Sequence, residues 1–106
     1  MMRAVAYRIE FVEQADEHTR HLTARRRARL LDAIDAQLLH EPTNETRNRK
    51  PMQADKKPFV APWELRVDDM RVYYDVQEKP EPVVVISAIA IKTHNRLIIG
   101  CREIES

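Results

Sequence analysis

The sequence predicts an α+β fold: an antiparallel β-sheet of four to five strands with an N-terminal α-helical hairpin on one face, in the order β-α-α-β-β-β. Three observations predict it. Apolar residues alternate with period two in 4–11, 63–67 and 72–76, as half-buried strands do. Between 12 and 38 they recur at helical spacing instead. All six prolines fall in two clusters, Pro42/Pro51/Pro58/Pro62 and Pro80/Pro82. Proline breaks helix interiors and central strands, so 1–41 and 83–106 are free to be regular while 42–62 reads as mostly loop. A loop of about twenty residues in so short a chain is uncommon and is often functional.

In the first strand, Val5, Tyr7, Ile9 and Phe11 share one face. Glu13, Asp16 and Glu17 then suit the positive end of a starting helix, in which Val12, Ala15, Thr19 and Leu22 follow helical spacing. Thr23 is a capping residue for a second helix, with Ala24, Ala28, Leu31, Ile34 and Leu38 as its expected buried stripe and an end near His40, before Pro42. Beyond the loop, Trp63, Leu65 and Val67 alternate with polar residues, as do Val72, Tyr74 and Val76. Two such runs joined at Asp68-Asp69 read as a hairpin. The apolar density of Val83–Ile91 suits a central strand, and Leu97–Cys101 adds a short final one.

The composition narrows the function classes. The 106 residues predict a single domain, and 43% hydrophobic with 33% charged residues is globular. Eighteen Lys/Arg against 17 Asp/Glu leave a net charge of +1, which excludes a polybasic tail protein but not a local basic patch. The lone Cys101 has no internal partner, which fits a reducing compartment. The longest apolar run, Val83 to Ile91, is too short to span a bilayer, and Tyr7-Arg8-Ile9-Glu10 interrupts any signal-like stretch. The expectation is a cytoplasmic protein with no membrane partner. No metal or other cofactor is expected: His18 and His21 lack further ligands, and a lone glycine, Gly100, excludes a glycine-rich phosphate loop.

The hairpin carries the chemistry. With Asp68-Asp69 as a two-residue turn, Val67 faces Met70 and Arg66 faces Arg71. Trp63, Leu65, Val72 and Tyr74 then point to the helices, and Glu64, Arg66, Arg71, Tyr73 and Asp75 to the other face. Opposed arginines cost stability, so they need diagonal carboxylates or an anionic ligand. The plainer reading is a solvated ladder neutralised by Glu64 and Asp75. Charge distribution favours the ligand: residues 23 to 57 hold nine Lys/Arg and five Asp/Glu, whereas 63 to 106 hold six and eight. Arg47, Arg49 and Lys50 form a cationic cluster suited to phosphates, whereas Arg25, Arg26, Arg27 and Arg29 read as a solvated helix face or an acidic partner's site. Lys92 and His94 leave the central strand where the hairpin face meets them. Cleavage of RNA by its own 2′-hydroxyl needs a base, charge stabilisation and an acid. Glu64 is the candidate base, Arg71 and Lys92 the stabilisers and His94 the acid, with Arg47, Arg49, Lys50 and Arg66 binding RNA.

Tyr7-Arg8-Ile9-Glu10-Phe11, Trp63-Glu64-Leu65-Arg66-Val67, Met70 through Val76, and Val85 through Lys92 together resemble the RelE/ParE superfamily of type II toxin–antitoxin toxins over almost the whole chain. The resemblance implies a RelE-like domain, a cognate antitoxin as partner, and a ribosome-dependent mRNA endonuclease that leaves a 2′,3′-cyclic phosphate. By the same resemblance, Arg71 falls on the arginine that contacts the scissile phosphate and Lys92 on the basic position after the central strand. The tyrosine of the best-known RelE branch would fall at Ile98, and its paired lysines at Pro62 and Glu64, so His94 and Glu64 would have to substitute. The alternative is the ParE-like branch, which shares the fold, lacks the nuclease residues and inhibits DNA gyrase.

Overall fold

A computed structural model describes residues 6–52, 61–93, 96–99 and 102–105; in the last two segments only Ile98 is described beyond its backbone. The chain runs β1 (Arg8–Phe11), α1 (Glu13–Arg20), α2 (Ala24–Leu38), β2 (Arg49–Pro51), β3 (Trp63–Val67), β4 (Met70–Gln77), β5 (Val83–Thr93), β6 (Arg96–Ile99) and β7 (Arg102–Glu105). The expected helical hairpin and antiparallel core are present. No helix among the described residues is long and apolar enough to cross a membrane.

The sheet has seven strands in the order β2-β3-β4-β5-β6-β7, with β1 paired to β5. Three features extend the expected plan, the first being Arg102–Glu105, which adds a strand beyond the expected final one. Arg49–Pro51, expected as loop, forms an edge strand against β3, a place where proline costs no ladder bond needed elsewhere. The first strand lies parallel to β5, as a helical crossover allows, while the other pairs are antiparallel.

Between the residues of β5 that pair with β1 (Val83–Ile86) and those that pair with β6 (Ala90–Thr93), the strand edge is open. Helix α1 fills part of it: the Ile89 amide donates to His18 Nδ1 at 3.2 Å. Burial pushes the His18 imidazole below its usual titration range, reinforced by His21 and opposed by Glu17. A buried backbone amide needs a partner, and a side chain supplies it where strand pairing stops.

The main core lies between the helices and one sheet face. Leu30, Ile34, Leu38, Leu65, Val72, Tyr74 and Ile86 are buried there, with Trp63 stacked on Tyr74 at 6.2 Å between ring centroids. The Tyr74 hydroxyl donates to the Pro42 carbonyl, and burial pushes its ionisation well above the usual range. Thr23 caps α2 as expected, its hydroxyl accepting from the Arg26 amide at 3.2 Å.

The stripe of α2 is rotated from the expected one. Leu30, Ala33, Ile34 and Leu38 are buried, whereas Ala24, Ala28 and Leu31 are exposed. Val12, placed on the buried stripe of α1 by its spacing, is also exposed and precedes the helix. The arginines of α2 explain the rotation. Arg27 turns inward and donates to the carbonyls of Thr19 (3.1 Å), Arg20 (3.3 Å) and Leu22 (3.1 Å), satisfying the end of α1. Arg26 pairs with Asp69 at 2.6 Å and Arg29 with Asp68 at 3.2 Å. Their half-buried stems carry one helix edge toward the hairpin turn.

Candidate nucleic-acid interface

The β3–β4 hairpin has the register its turn predicts: Val67 opposes Met70, Arg66 opposes Arg71, and Glu64 opposes Tyr73. Asp68 takes the left-handed backbone that so tight a turn requires, at φ 56°, a region aspartate tolerates better than most residues. Because neighbours alternate across the sheet, Leu65, Val67, Val72 and Tyr74 enter the main core, and Glu64, Arg66, Arg71 and Tyr73 take the opposite face.

Adjacent strands extend that face. Lys50 of β2 opposes Glu64, and Ala90 of β5 opposes Arg71. Alternation from Ala90 brings exposed Lys92 to the same side, diagonal to Arg71, a relation that separates backbone positions by about 7–8 Å. The Lys92 amide donates to the Asp69 carbonyl at 2.7 Å, so the end of β5 is tied to the turn. The half-buried Arg71 leans the same way, its Nη1 donating to the carbonyls of Met70 (2.8 Å) and Asp68 (3.0 Å). Lys50 thus opposes Glu64, Arg66 stands two residues along the same strand, Arg71 lies diagonal to it and Lys92 lies beyond Arg71, while alternation along β4 puts the exposed Asp75 on the same face.

Glu64 is held firmly. Arg66 Nε donates to Glu64 Oε1 at 3.0 Å, and the Glu64 side chain is only 15% exposed. For Arg66, then, the neutralised ladder is realised. Among the described residues Arg71 has no carboxylate partner; its guanidinium donates to the Asp68 and Met70 carbonyls instead.

The other cationic candidates divide. Arg47 is exposed in the turn before β2, where the Thr46 hydroxyl accepts from the amides of Asn48 (3.3 Å) and Arg49 (3.2 Å). Arg49, expected at the RNA surface, is not there. It is 6% exposed, and its Nη1 donates to the carbonyls of Gln37 (2.5 Å) and Glu41 (2.7 Å), just where α2 ends. Its register partner is the core residue Leu65, so the alternation that presents Lys50 buries Arg49. Arg49 is a structural cation that satisfies a helix terminus. His94 lies outside the described residues. Ile98 pairs with Ile91, which packs on the main core, so this position looks away from the cationic face.

The helix-face arginines do not make a second cationic site. Arg25, Arg26 and Arg29 line a cleft of about 440 Å³ together with Asp32, Asp68 and Asp69, without charge excess. No group of three His, Cys, Asp or Glu residues suited to a metal ion occurs among the described residues.

Tyr73 is the residue that sequence reasoning placed on this face without a role. It is 2% exposed and packs with Ala61, Ala88, Ala90 and Met52 in a small second apolar cluster. Burial, then the charge of Glu64 and a hydrogen bond to it, push the phenol well above its usual range, while Arg71 and Arg66 pull the other way. The hairpin register already pairs Tyr73 with Glu64. That the tyrosine is buried on the polar face depends on Ala61 and Met52 packing there, which alternation cannot foretell.

No family model matches the sequence, and no curated protein is significantly similar to it. Among solved structures the chain is similar to the toxin–antitoxin complex RelBE2 from Mycobacterium tuberculosis. The TM-score is 0.64, over 98% of this chain and 95% of that one, at 19% sequence identity. At that identity the likeness establishes the fold, which is RelE-like, as the residues of β1, the hairpin and β5 imply.

Proposed function

We propose that this chain is the toxin of a type II toxin–antitoxin system and acts in the cytoplasm as a ribosome-dependent mRNA endonuclease. The observation that carries the reading is the placement of Lys50, Arg66, Arg71 and Lys92, together with Glu64, on the sheet face away from the helices. The RelE-like fold and its likeness to a chain from a toxin–antitoxin complex support it.

In this reading Glu64 takes the proton of the 2′-hydroxyl, and the 2′-oxygen attacks the adjacent phosphorus. Arg71 and Lys92 stabilise the charge of the phosphorane, where preorganised cations act most strongly. The bond to the 5′-oxygen breaks as that oxygen receives a proton, a role assigned to His94 from its sequence position. The products are a 2′,3′-cyclic phosphate and a 5′-hydroxyl. Lys50, Arg66 and Arg47 hold the RNA backbone. A cognate antitoxin covers the face, meeting its cations with acidic side chains.

Inducing the protein in growing cells and following transcripts, translation and the DNA-damage response tests this. Translation arrest with transcripts cut to 2′,3′-cyclic phosphate ends supports the nuclease. Intact transcripts with a DNA-damage response would overturn it in favour of a gyrase-directed toxin.

A further inference from the structure

We propose that Tyr73 is a positioning residue that fixes the Glu64 carboxylate on the cationic face, an inference that rests on the nuclease reading and names the group that holds its base. Glu64 and Tyr73 are directly opposed in the β3–β4 register, which brings the phenol hydroxyl within reach of the carboxylate as a donor. Arg66 Nε supplies the second donor at 3.0 Å. A carboxylate offers about four lone-pair sites, so two donors leave room for a 2′-hydroxyl.

The two donors are not equivalent. The Arg66 side chain is 46% exposed, where water competes for both partners. Tyr73 is 2% exposed and clamped between Ala61, Ala88 and Ala90, so its hydroxyl is a fixed point from which a flexible glutamate is aimed. The same burial keeps the phenol protonated, and therefore a donor, throughout the pH range of RNA cleavage. Burial also keeps the ring from the substrate, so Tyr73 acts through Glu64 and touches no reacting atom. Reach matters because general-base catalysis fails when the base is displaced by about 1 Å, at a cost of up to roughly a hundredfold.

Wild type, Tyr73→Phe, Glu64→Gln and the double variant are compared on ribosomes programmed with an mRNA. Tyr73→Phe keeps the ring in its cluster and removes only the donor. The expected result is a kcat lowered roughly 10- to 100-fold with KM unchanged. Glu64→Gln should lose about a hundredfold or more, and the double variant should be no slower than Glu64→Gln alone, because both changes act on one group. Losses that multiply, or a Tyr73→Phe enzyme as fast as wild type, overturn the role. A second measurement needs no cleavage: in protein labelled with ¹³C at the tyrosine Cζ, Glu64→Ala should move the Tyr73 resonance at neutral pH. An unmoved resonance removes the pairing itself. A wild type that cuts nothing sinks the nuclease reading and this role together, whereas a wild type that cuts, with Tyr73→Phe equally fast, sinks this role alone.

Discussion

Two arginine-rich regions of this molecule look alike in composition and differ in use. On α2, Arg26 and Arg29 meet the aspartates of the hairpin turn, and Arg27 meets the open carbonyls of α1. On the opposite side of the sheet, Arg66 and Arg71 face each other across β3 and β4, with Glu64 paired to Arg66 and Lys92 diagonal to Arg71. The first set closes the fold onto itself; the second leaves positive charge outstanding. A cationic run is therefore a candidate binding site only after its internal acceptors have been subtracted. Arg49 makes the same point within one strand: it is consumed by α2 while its neighbour Lys50 is presented.

The contrast can be broken from either side. Arg71→Ala should lower mRNA cleavage by about a hundredfold, the worth of one charged contact to the transition state, and leave the melting temperature near wild type. A folded variant of undiminished toxicity would remove Arg71 from the mechanism. Arg49→Met should do the reverse. Urea denaturation should show a loss of about 2 kcal/mol for the charged hydrogen bonds to Gln37 and Glu41, with RNA affinity of the folded protein unchanged. Weakened RNA binding at full stability would return Arg49 to the surface set.

His18 sharpens the comparison with a group that is neither presented nor ion-paired. Its folded-state titration lies below the ordinary value of 6.5, so its contribution is complete above that pH and is lost as the pH falls below it. Stability measured between pH 7.5 and 5 should decline toward acid, and His18→Gln, which keeps an acceptor for the Ile89 amide but does not titrate, should flatten that decline. An unaltered slope would show that other groups set it. The smallest effect belongs to Arg26→Ala and Arg29→Ala. Their ion pairs are about half exposed, so each substitution should cost less than about 1 kcal/mol and leave cleavage unchanged.

The hairpin was legible before any coordinates because a two-residue turn and strict alternation leave one register. Arg66 opposite Arg71, and Glu64 opposite Tyr73, follow from counting. The Thr23 cap was legible for a similar reason, since its hydroxyl acts within a single turn. The α2 stripe was not. Leu30 and Leu31 are adjacent, alanines flank both possible stripes, and the choice fell to Arg26 and Arg27 reaching partners on other elements. Strand β2 was hidden by Pro51, and the parallel placement of β1 by the lack of any local signal for strand direction.

By itself, then, the sequence determined the periodicities: the two helices, the strands other than β2 and β7, and which hairpin residues share a face. These depend on neighbours within a few positions. Tertiary structure alone decided which cations are spent and which are shown, because a guanidinium's partners lie on other elements. Arg49 finds carbonyls 12 and 8 residues away, and Arg26 an aspartate 43 residues away. Local pattern sets the side on which a residue emerges; the charge left there depends on what the folded chain brings within reach.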